Sequence, residues 1–350
     1  MKRLILIPAI FLFALVICSA QQVPCIRSAK DSAYFRKPYP YILPILGSKV
    51  HQAKVRLPFP IGLMFNSLVG RQNLMLDQMK LGFGNYNNPN PPEMIDLDEV
   101  VTFEEISAQT STFNVRIDAW VLPFLNIYGI VGQTKKADIS VNLVDPFPLS
   151  VSTEVAGTYF GYGVMAAGGI GPLFISADLN RTINYNPRLD EPAKVLIHGL
   201  RTGPVIPFKN RPEMNVSFWT GYMYTYFNGD TEGAIDVLEL SPDAPGRIDE
   251  MLGSLNNWYN DLPPLQQTLY ENLYNRLGTG LSGLKDGVEN GYIRYSFNKS
   301  IENPWNMLLG AQWQINYRWQ LRAEAQFLGD RTAGLFSLNY RFGIRKKNWF

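Results

Sequence analysis

Two histidines, His51 and His198, are the only imidazoles in the 350 residues, so they bound what proton-transfer chemistry the chain can do. A hydrolase working by nucleophilic attack needs a hydroxyl and a base within hydrogen-bond reach of each other. His198 sits in VLIHGLR, residues 195–201, with no serine beside it, and His51 precedes the first clear strand pattern. Neither lies in a recognisable catalytic motif, so no catalytic residue is assigned; a serine close to His198 in space would reopen the question. Metal chemistry has less support. There is no cysteine pair, and two isolated histidines lack ligand spacing. The acidic run Asp96, Asp98, Glu99, Glu104, Glu105 lacks the regular alternation of a calcium loop. GYGVMAAGGIG, residues 161–171, is glycine-rich without the strand-to-helix setting that phosphate binding requires. Turns and close strand packing explain it better. No metal or cofactor is expected.

A second set of polar residues stands in a different context. Arg116, Asp118, Asp178, Arg294, Arg322, Glu324 and Arg341 each fall in a segment where polar and apolar residues alternate. Successive side chains of a strand point to opposite faces. These seven therefore lie on polar faces and are candidate lumen-lining residues of a closed barrel. Both charge signs are present, which argues against a strong anion or cation filter. Either they pair across strands inside a filled barrel, or they form the wall of a polar pore.

The elements that would position them are clearest near the C-terminus. Phe336, Leu338, Tyr340, Phe342 and Ile344 alternate with Ser337, Asn339, Arg341, Gly343 and Arg345. Trp319, Leu321, Ala323, Ala325 and Phe327 alternate with Gln320, Arg322, Glu324 and Gln326, and residues 305–316 do the same with Leu308 as the exception. Such segments are about 10 residues long, enough for a tilted strand to cross a bilayer. Upstream, the reading takes strands at 61–69, 73–83, 113–121, 125–131, 139–143, 154–167, 173–180, 214–226 and 292–297. Residues 70–72 and Gly168-Gly169 are read as turns, and residues 85–110 as a long loop opened by NYNNPNPPE. The poorly alternating stretch 194–203 is left out. The total is twelve strands, give or take two. Even numbers are favoured in bacterial single-chain barrels. Four strands after the insert would place it on the side of the C-terminus.

Residues 228–288 break the pattern. Residues 247–259 and 264–277 have helical spacing, and Leu265, Leu269, Leu273 and Leu277 form an apolar stripe that must pack on something. The reading places that stripe at or inside the barrel mouth. Asp243 or Asp249 would cap the first helix and Asp261 the second, with Gly278, Gly280 and Gly283 ending it.

At the start, Lys2 and Arg3, an apolar run over 4–17 and Cys18-Ser19-Ala20 have the layout of a secretory signal peptide, cleaved after Ala20, with a lipoprotein box at Leu15-Val16-Ile17-Cys18, lipidated on Cys18, as the rival reading that the bulky Ile17 disfavours. Cleavage removes two of the 32 basic residues and none of the 30 acidic ones, leaving no net charge and no case for a nucleic-acid partner. Only Cys25 then remains, so no internal disulfide forms. Residues 21–56 are read as a linker and 57–350 as the barrel. There is no later apolar run of about 18 residues, yet there are 18 Tyr, 20 Phe and 7 Trp. Exported, aromatic-rich, amphipathic strands satisfy their backbone in hydrocarbon by closing a barrel.

The tail LFSLNYRFGIRKKNWF resembles the closing strand of Gram-negative outer-membrane β-barrel proteins, which end on an aromatic residue, here Phe350. Residues 345–348 separate that aromatic from the strand, a departure from the family's pattern, so Tyr340, Phe342 and Ile344 share the candidacy. The resemblance implies an all-β transmembrane barrel in the cell outer membrane, touching its lipid. It also implies recognition of the last strand by the barrel-assembly machinery. The expected role is a channel or transport-related barrel for small solutes, with a non-conducting receptor or assembly-partner barrel second and a lipid-modifying enzyme a minor third.

Overall fold

The computed structural model describes residues 34–346, apart from residues 148, 186–191, 229 and 241–242. The signal segment, Cys25, Trp349 and Phe350 lie outside the described residues. Ten antiparallel strands close into a barrel. They are β1 (Ile61–Asn85), β3 (Thr102–Leu122), β4 (Leu125–Asp145), β5 (Leu149–Ile170), β6 (Leu173–Tyr185), β7 (Ala193–Phe208), β8 (Arg211–Asn228), β11 (Trp305–Gln314), β12 (Trp319–Phe327) and β13 (Arg331–Phe342). Closure runs through β1, whose Ile61 lies opposite Ala119 of β3 and Phe342 of β13. Three short strands stand outside the wall: β2 (Ile95–Asp96), β9 (Asp230–Asp236) and β10 (Gly291–Ser300).

The wall is inverted relative to a water-soluble barrel with an apolar core. Phe65, Val69, Ile117, Val131, Phe160, Leu309 and Phe336 are exposed, while Asn66, Asp118, Asn126, Ser217, Gln320, Glu324 and Asn339 are buried. The two sets alternate along the strands, so the apolar set faces out and the polar set faces the lumen. Such a surface is stable only in hydrocarbon, and the fold is that of an outer-membrane-type transmembrane barrel. Leu308, the exception in the alternation, points inward and is completely buried.

Strand length splits the wall in two. β11, β12 and β13 have 10, 9 and 12 residues, enough to cross a bilayer, whereas β3, β4 and β5 have 21, 21 and 22. The surplus projects from the end opposite the chain termini. There β1 also leaves the wall. Beyond residue 74 it drops its pairing with β3 and takes β10 on one edge and β2 on the other. On this extension pack α3 (Ala244–Asp261) and α4 (Pro264–Asp286); α1 (Gly47–Gln52) and α2 (Val237–Leu240) are the other short helices. Leu81, Ile95, Leu97, Phe147, Ile248, Met251, Leu255, Leu277, Leu281, Leu284 and Ile293 belong to one buried core. The result is a lobe with its own apolar interior outside the lumen. Tyr86 ties its rim by donating to Asp236 Oδ1 at 2.6 Å, a bond that pushes the phenol up to about 12.

Several expectations need correction. The segments 61–69 and 73–83 are one 25-residue strand, because residues 70–72 pair with both β3 and β13 instead of turning. Residues 125–131 and 139–143 likewise belong to a single β4. The stretch 194–203 is wall strand β7, and 292–297 is β10, off the wall. The turn after β5 falls at Gly171-Pro172, with Gly171 at φ 61°, not at Gly168-Gly169. Three wall strands, not four, follow the insert, so it lies at the end away from the termini. The leucine stripe is only half right: Leu277 is fully buried, but Leu265 and Leu269 are 84% and 67% exposed. The buried face continues instead through Leu281 and Leu284. α4 runs through its glycines to Asp286, and Gly280 lets it approach the Phe83 ring, where a Cβ would come within 2.2 Å. Asp243 caps α3 through Gly246 N, whereas α4 starts on Pro263 without a side-chain cap.

Residues 34–56 are ordered, not a free linker. Tyr41 bridges Arg345, Ile42 N donates to Ile344 O at 3.0 Å, and Ile45 N donates to Val121 O at 2.8 Å. His51 is buried there among Tyr34, Phe35 and Tyr39, with its Nε2 2.8 Å from Lys37 O. This segment is stitched to the barrel end that carries the termini.

The barrel lumen as candidate functional site

Inward-facing positions of β3, β6, β7, β12 and β13 converge halfway along the barrel. Glu324 on β12 is the centre, with its side chain 1% exposed. Arg201 on β7 reaches it with Nε to Oε2 at 2.7 Å and Nη2 to Oε1 at 3.1 Å, and its Nη1 donates to Asp178 on β6. β8 and β11 lie between β7 and β12 in the wall, so this arginine spans the lumen instead of bonding to a neighbouring strand. Arg322 Nη2 donates to Glu324 Oε2 at 2.6 Å and Trp219 Nε1 to the same oxygen at 3.0 Å. One carboxylate thus holds two guanidinium groups and an indole. Such charge-assisted bonds are the strong class, and a buried carboxylate tolerates burial only when so paired.

A second group sits beside it. Asp118 Oδ1 accepts from Arg341 Nη2 at 3.0 Å and from Asn126 Nδ2 at 2.6 Å, and Arg116 Nη2 donates to Asn126 Oδ1 at 3.2 Å. Arg341 Nε also donates to Phe59 O at 2.9 Å, fixing the strand start of β1. Two arginines are further held by flat aromatic rings. Arg116 stacks 3.7 Å from the centre of Tyr128 and Arg322 4.7 Å from that of Trp219. Each ring lies over a glycine on the paired strand, Gly163 and Gly310, where a Cβ would fall 2.5 Å and 2.3 Å from ring atoms. The glycines are therefore what lets these rings lie along the wall.

From the terminal end a cavity of about 340 Å³ leads down to this cluster. Its walls include Arg56, Arg116, Asp118, Trp120, Arg201, Trp219, Arg322 and Arg341. Buried Arg116 Nε, Arg322 Nε and Trp120 Nε1, with the acceptors Asp118 Oδ2 and Asn339 Oδ1, have no partner among the described residues. Unpaired buried polar atoms cost about 1–3 kcal/mol each, so the waist is where added hydrogen bonds gain most. Beyond it the inner wall is uncharged in part: Asn66 Nδ2 donates to Asn114 Oδ1 at 2.7 Å and Asn114 Nδ2 to Tyr159 OH at 2.9 Å.

Of the seven candidates from sequence, Arg116, Asp118, Asp178, Arg322, Glu324 and Arg341 come together here. Arg294 does not. It stands on β10 in the lobe, 3.3 Å from Glu232 of β9. Its strand alternates like a wall strand, but pairs with the extension of β1 instead. Arg201, Trp219 and Asn126 are not among the candidates, and Arg201 escapes because β7 alternates poorly. The signal that could have found it is opposite parity: Leu196, Leu200, Ile206 and Phe208 share one face, and Arg201 lies on the other. His198 is on that outward face, stacked on Tyr224 at 5.0 Å and flanked by Tyr222 and Trp305. No serine hydrogen-bonds to it among the described residues.

No family model matches this chain, and no curated protein does. Solved structures do. The β domain of the Bordetella autotransporter BrkA is similar over 81% of this chain and 100% of its own, at 8% identity and a TM-score of 0.35. The outer membrane protein OprG from Pseudomonas aeruginosa has the same identity and TM-score over 81% and 98%. The translocator domain of the autotransporter NalP from Neisseria meningitidis gives 9% and 0.33 over 81% and 89%.

Proposed function

We propose that this barrel resides in the outer membrane and passes small solutes, with the Arg201–Glu324 bridge as the closed point of its path. The observation that carries the reading is the arginine-lined cavity that runs from the terminal end down to that bridge. A filled barrel with a purely structural role has no need of such a cavity. In this reading the termini face the periplasm, the lobe faces outward, and the last strand with Tyr340 and Phe342 is what the assembly machinery binds. No catalytic role is proposed.

The bridge is the testable part. Glu324→Gln removes the charge that holds Arg201 and Arg322 across the lumen. In planar bilayers the wild type should give rare, small openings and Glu324→Gln larger or longer ones. If neither protein conducts when correctly folded, the channel reading falls. A second reading then stands on a specific feature, the lobe with its own core: a non-conducting barrel that displays a binding module.

A further inference from the structure

The cavity wall is not electrically balanced. Five arginines, Arg56, Arg116, Arg201, Arg322 and Arg341, line it against one carboxylate, Asp118. Asp178 and Glu324 lie behind Arg201 and Arg322. Counting them as well, and setting aside Arg56, which lies over the Tyr34 and Tyr317 rings, four guanidinium groups face three carboxylates, an excess of one. The set named from sequence has four arginines and three acids, but it lacks Arg201 and includes Arg294, which lies in the lobe. A low-dielectric wall strengthens such an excess, and field lines focus in a narrow cleft. The rest of the lining mixes apolar and aromatic residues, Trp120, Met165, Phe174, Trp219 and Tyr317 among them, with uncharged polar ones such as Gln312, Gln320 and Asn339. A cavity of about 340 Å³ is in the size range of small-molecule sites, about 300–1,000 Å³.

We infer that the terminal-side vestibule is a binding site for small organic anions with an apolar body, aromatic carboxylates being the simplest class. The carboxylate would meet guanidinium donors at the waist, where Arg116 and Arg322 are already held flat on Tyr128 and Trp219. Guanidinium groups match a carboxylate's two oxygens in fork geometry. The apolar body would lie against the indole and thioether wall above. An equally apolar cation meets the same surface with guanidinium groups in excess. The inference deepens the channel reading by naming the solute class, yet binding at the vestibule does not require conduction.

The test is calorimetric titration of the folded protein in non-ionic detergent with benzoate and with benzylamine, two probes of similar size and opposite charge. Benzoate should bind at least tenfold tighter, and added salt should weaken benzoate alone. Arg322→Gln and Arg116→Gln should each weaken benzoate at least threefold. Equal binding of the two probes, or a preference for benzylamine, overturns the inference. Where a variant fails to fold, as judged by heat-modifiable gel migration, the wild-type comparison and its salt dependence decide. Benzoate binding without any bilayer conductance removes the channel reading and leaves the site. Conductance without benzoate preference does the reverse.

Discussion

Glu324 shows how much of the lumen depends on single side chains. It accepts from Arg201, Arg322 and Trp219, and it is buried. Removing one member of a buried charge group leaves its partners uncompensated, at about 3–5 kcal/mol. Glu324→Gln should therefore lower the urea midpoint of the barrel while raising conductance, the two effects reporting the same lost charge. Failure of the midpoint to fall would mean that solvent already screens the bridge. The lipid face has an opposite rule. Leu309 is outward, 56% exposed, in the middle of β11. Leu309→Arg puts a cation into hydrocarbon at about 2–4 kcal/mol near the midplane. Gln312, three residues on, faces the lumen directly opposite Arg322. Gln312→Glu places unlike charges across the strand pair and should change stability by no more than about 1 kcal/mol. Folding titrations in lipid vesicles compare the two, and equal damage would contradict the inside-outside phase.

At the scale of elements, α4 separates surface leucines from core ones. Leu281 is 0% exposed, packed over the extension of β1, while Leu265 stands near the helix start in solvent. Leu281→Ala should cost about 2–5 kcal/mol. Leu265→Ala should stay within about 0.5 kcal/mol. The helical signal in far-UV circular dichroism, followed through urea, gives both. The sequence made α4 legible as a helix through its four-residue leucine repeat but misassigned its buried face. That repeat counts apolar positions without knowing where the opposing sheet stands. That sheet is β1 continuing past the wall to pair with β10 and β2, and Gly280 lets α4 approach Phe83 on it. The strands divide in the same way. β11, β12 and β13 are readable because each is one membrane thickness of alternation, broken only at Leu308 of β11. β4 reads as two strands because the alternation breaks over residues 134–138, where its register against β5 shifts between Thr134 and Ala137, and β7 is hidden by its weak pattern. Of the lumen cluster, six residues were visible from alternation alone. The link from Arg201 to Glu324 across two intervening strands was not, since no local period encodes a contact over 123 positions.

For the whole molecule, the lobe and the lumen are separate packings joined by strands. The buried face of α4 meets β1 and β2 outside the wall, so the lobe does not stopper the lumen from within. Deleting residues 240–284 with a short turn in their place should leave heat-modifiable migration and conductance unchanged. It should also raise binding of a hydrophobic dye, because Leu81, Ile95, Leu97 and Ile293 lose their cover. Increased conductance in a folded deletion would show that the lobe obstructs the path after all. β1 carries one more implication. Its first half is zipped to β13 from Ile61 to Gln72, and its second half to β10 from Met75 to Asn85. Side chains alternate with a period of two, so a one-residue slip against β13 would turn lipid-facing Phe65 and Val69 inward. The same slip would shift Leu81 and Phe83 beneath α4. β1 therefore works as a common ruler: a seam closed in the wrong register at the membrane is also a misassembled lobe, and quality control acting on either half inspects both.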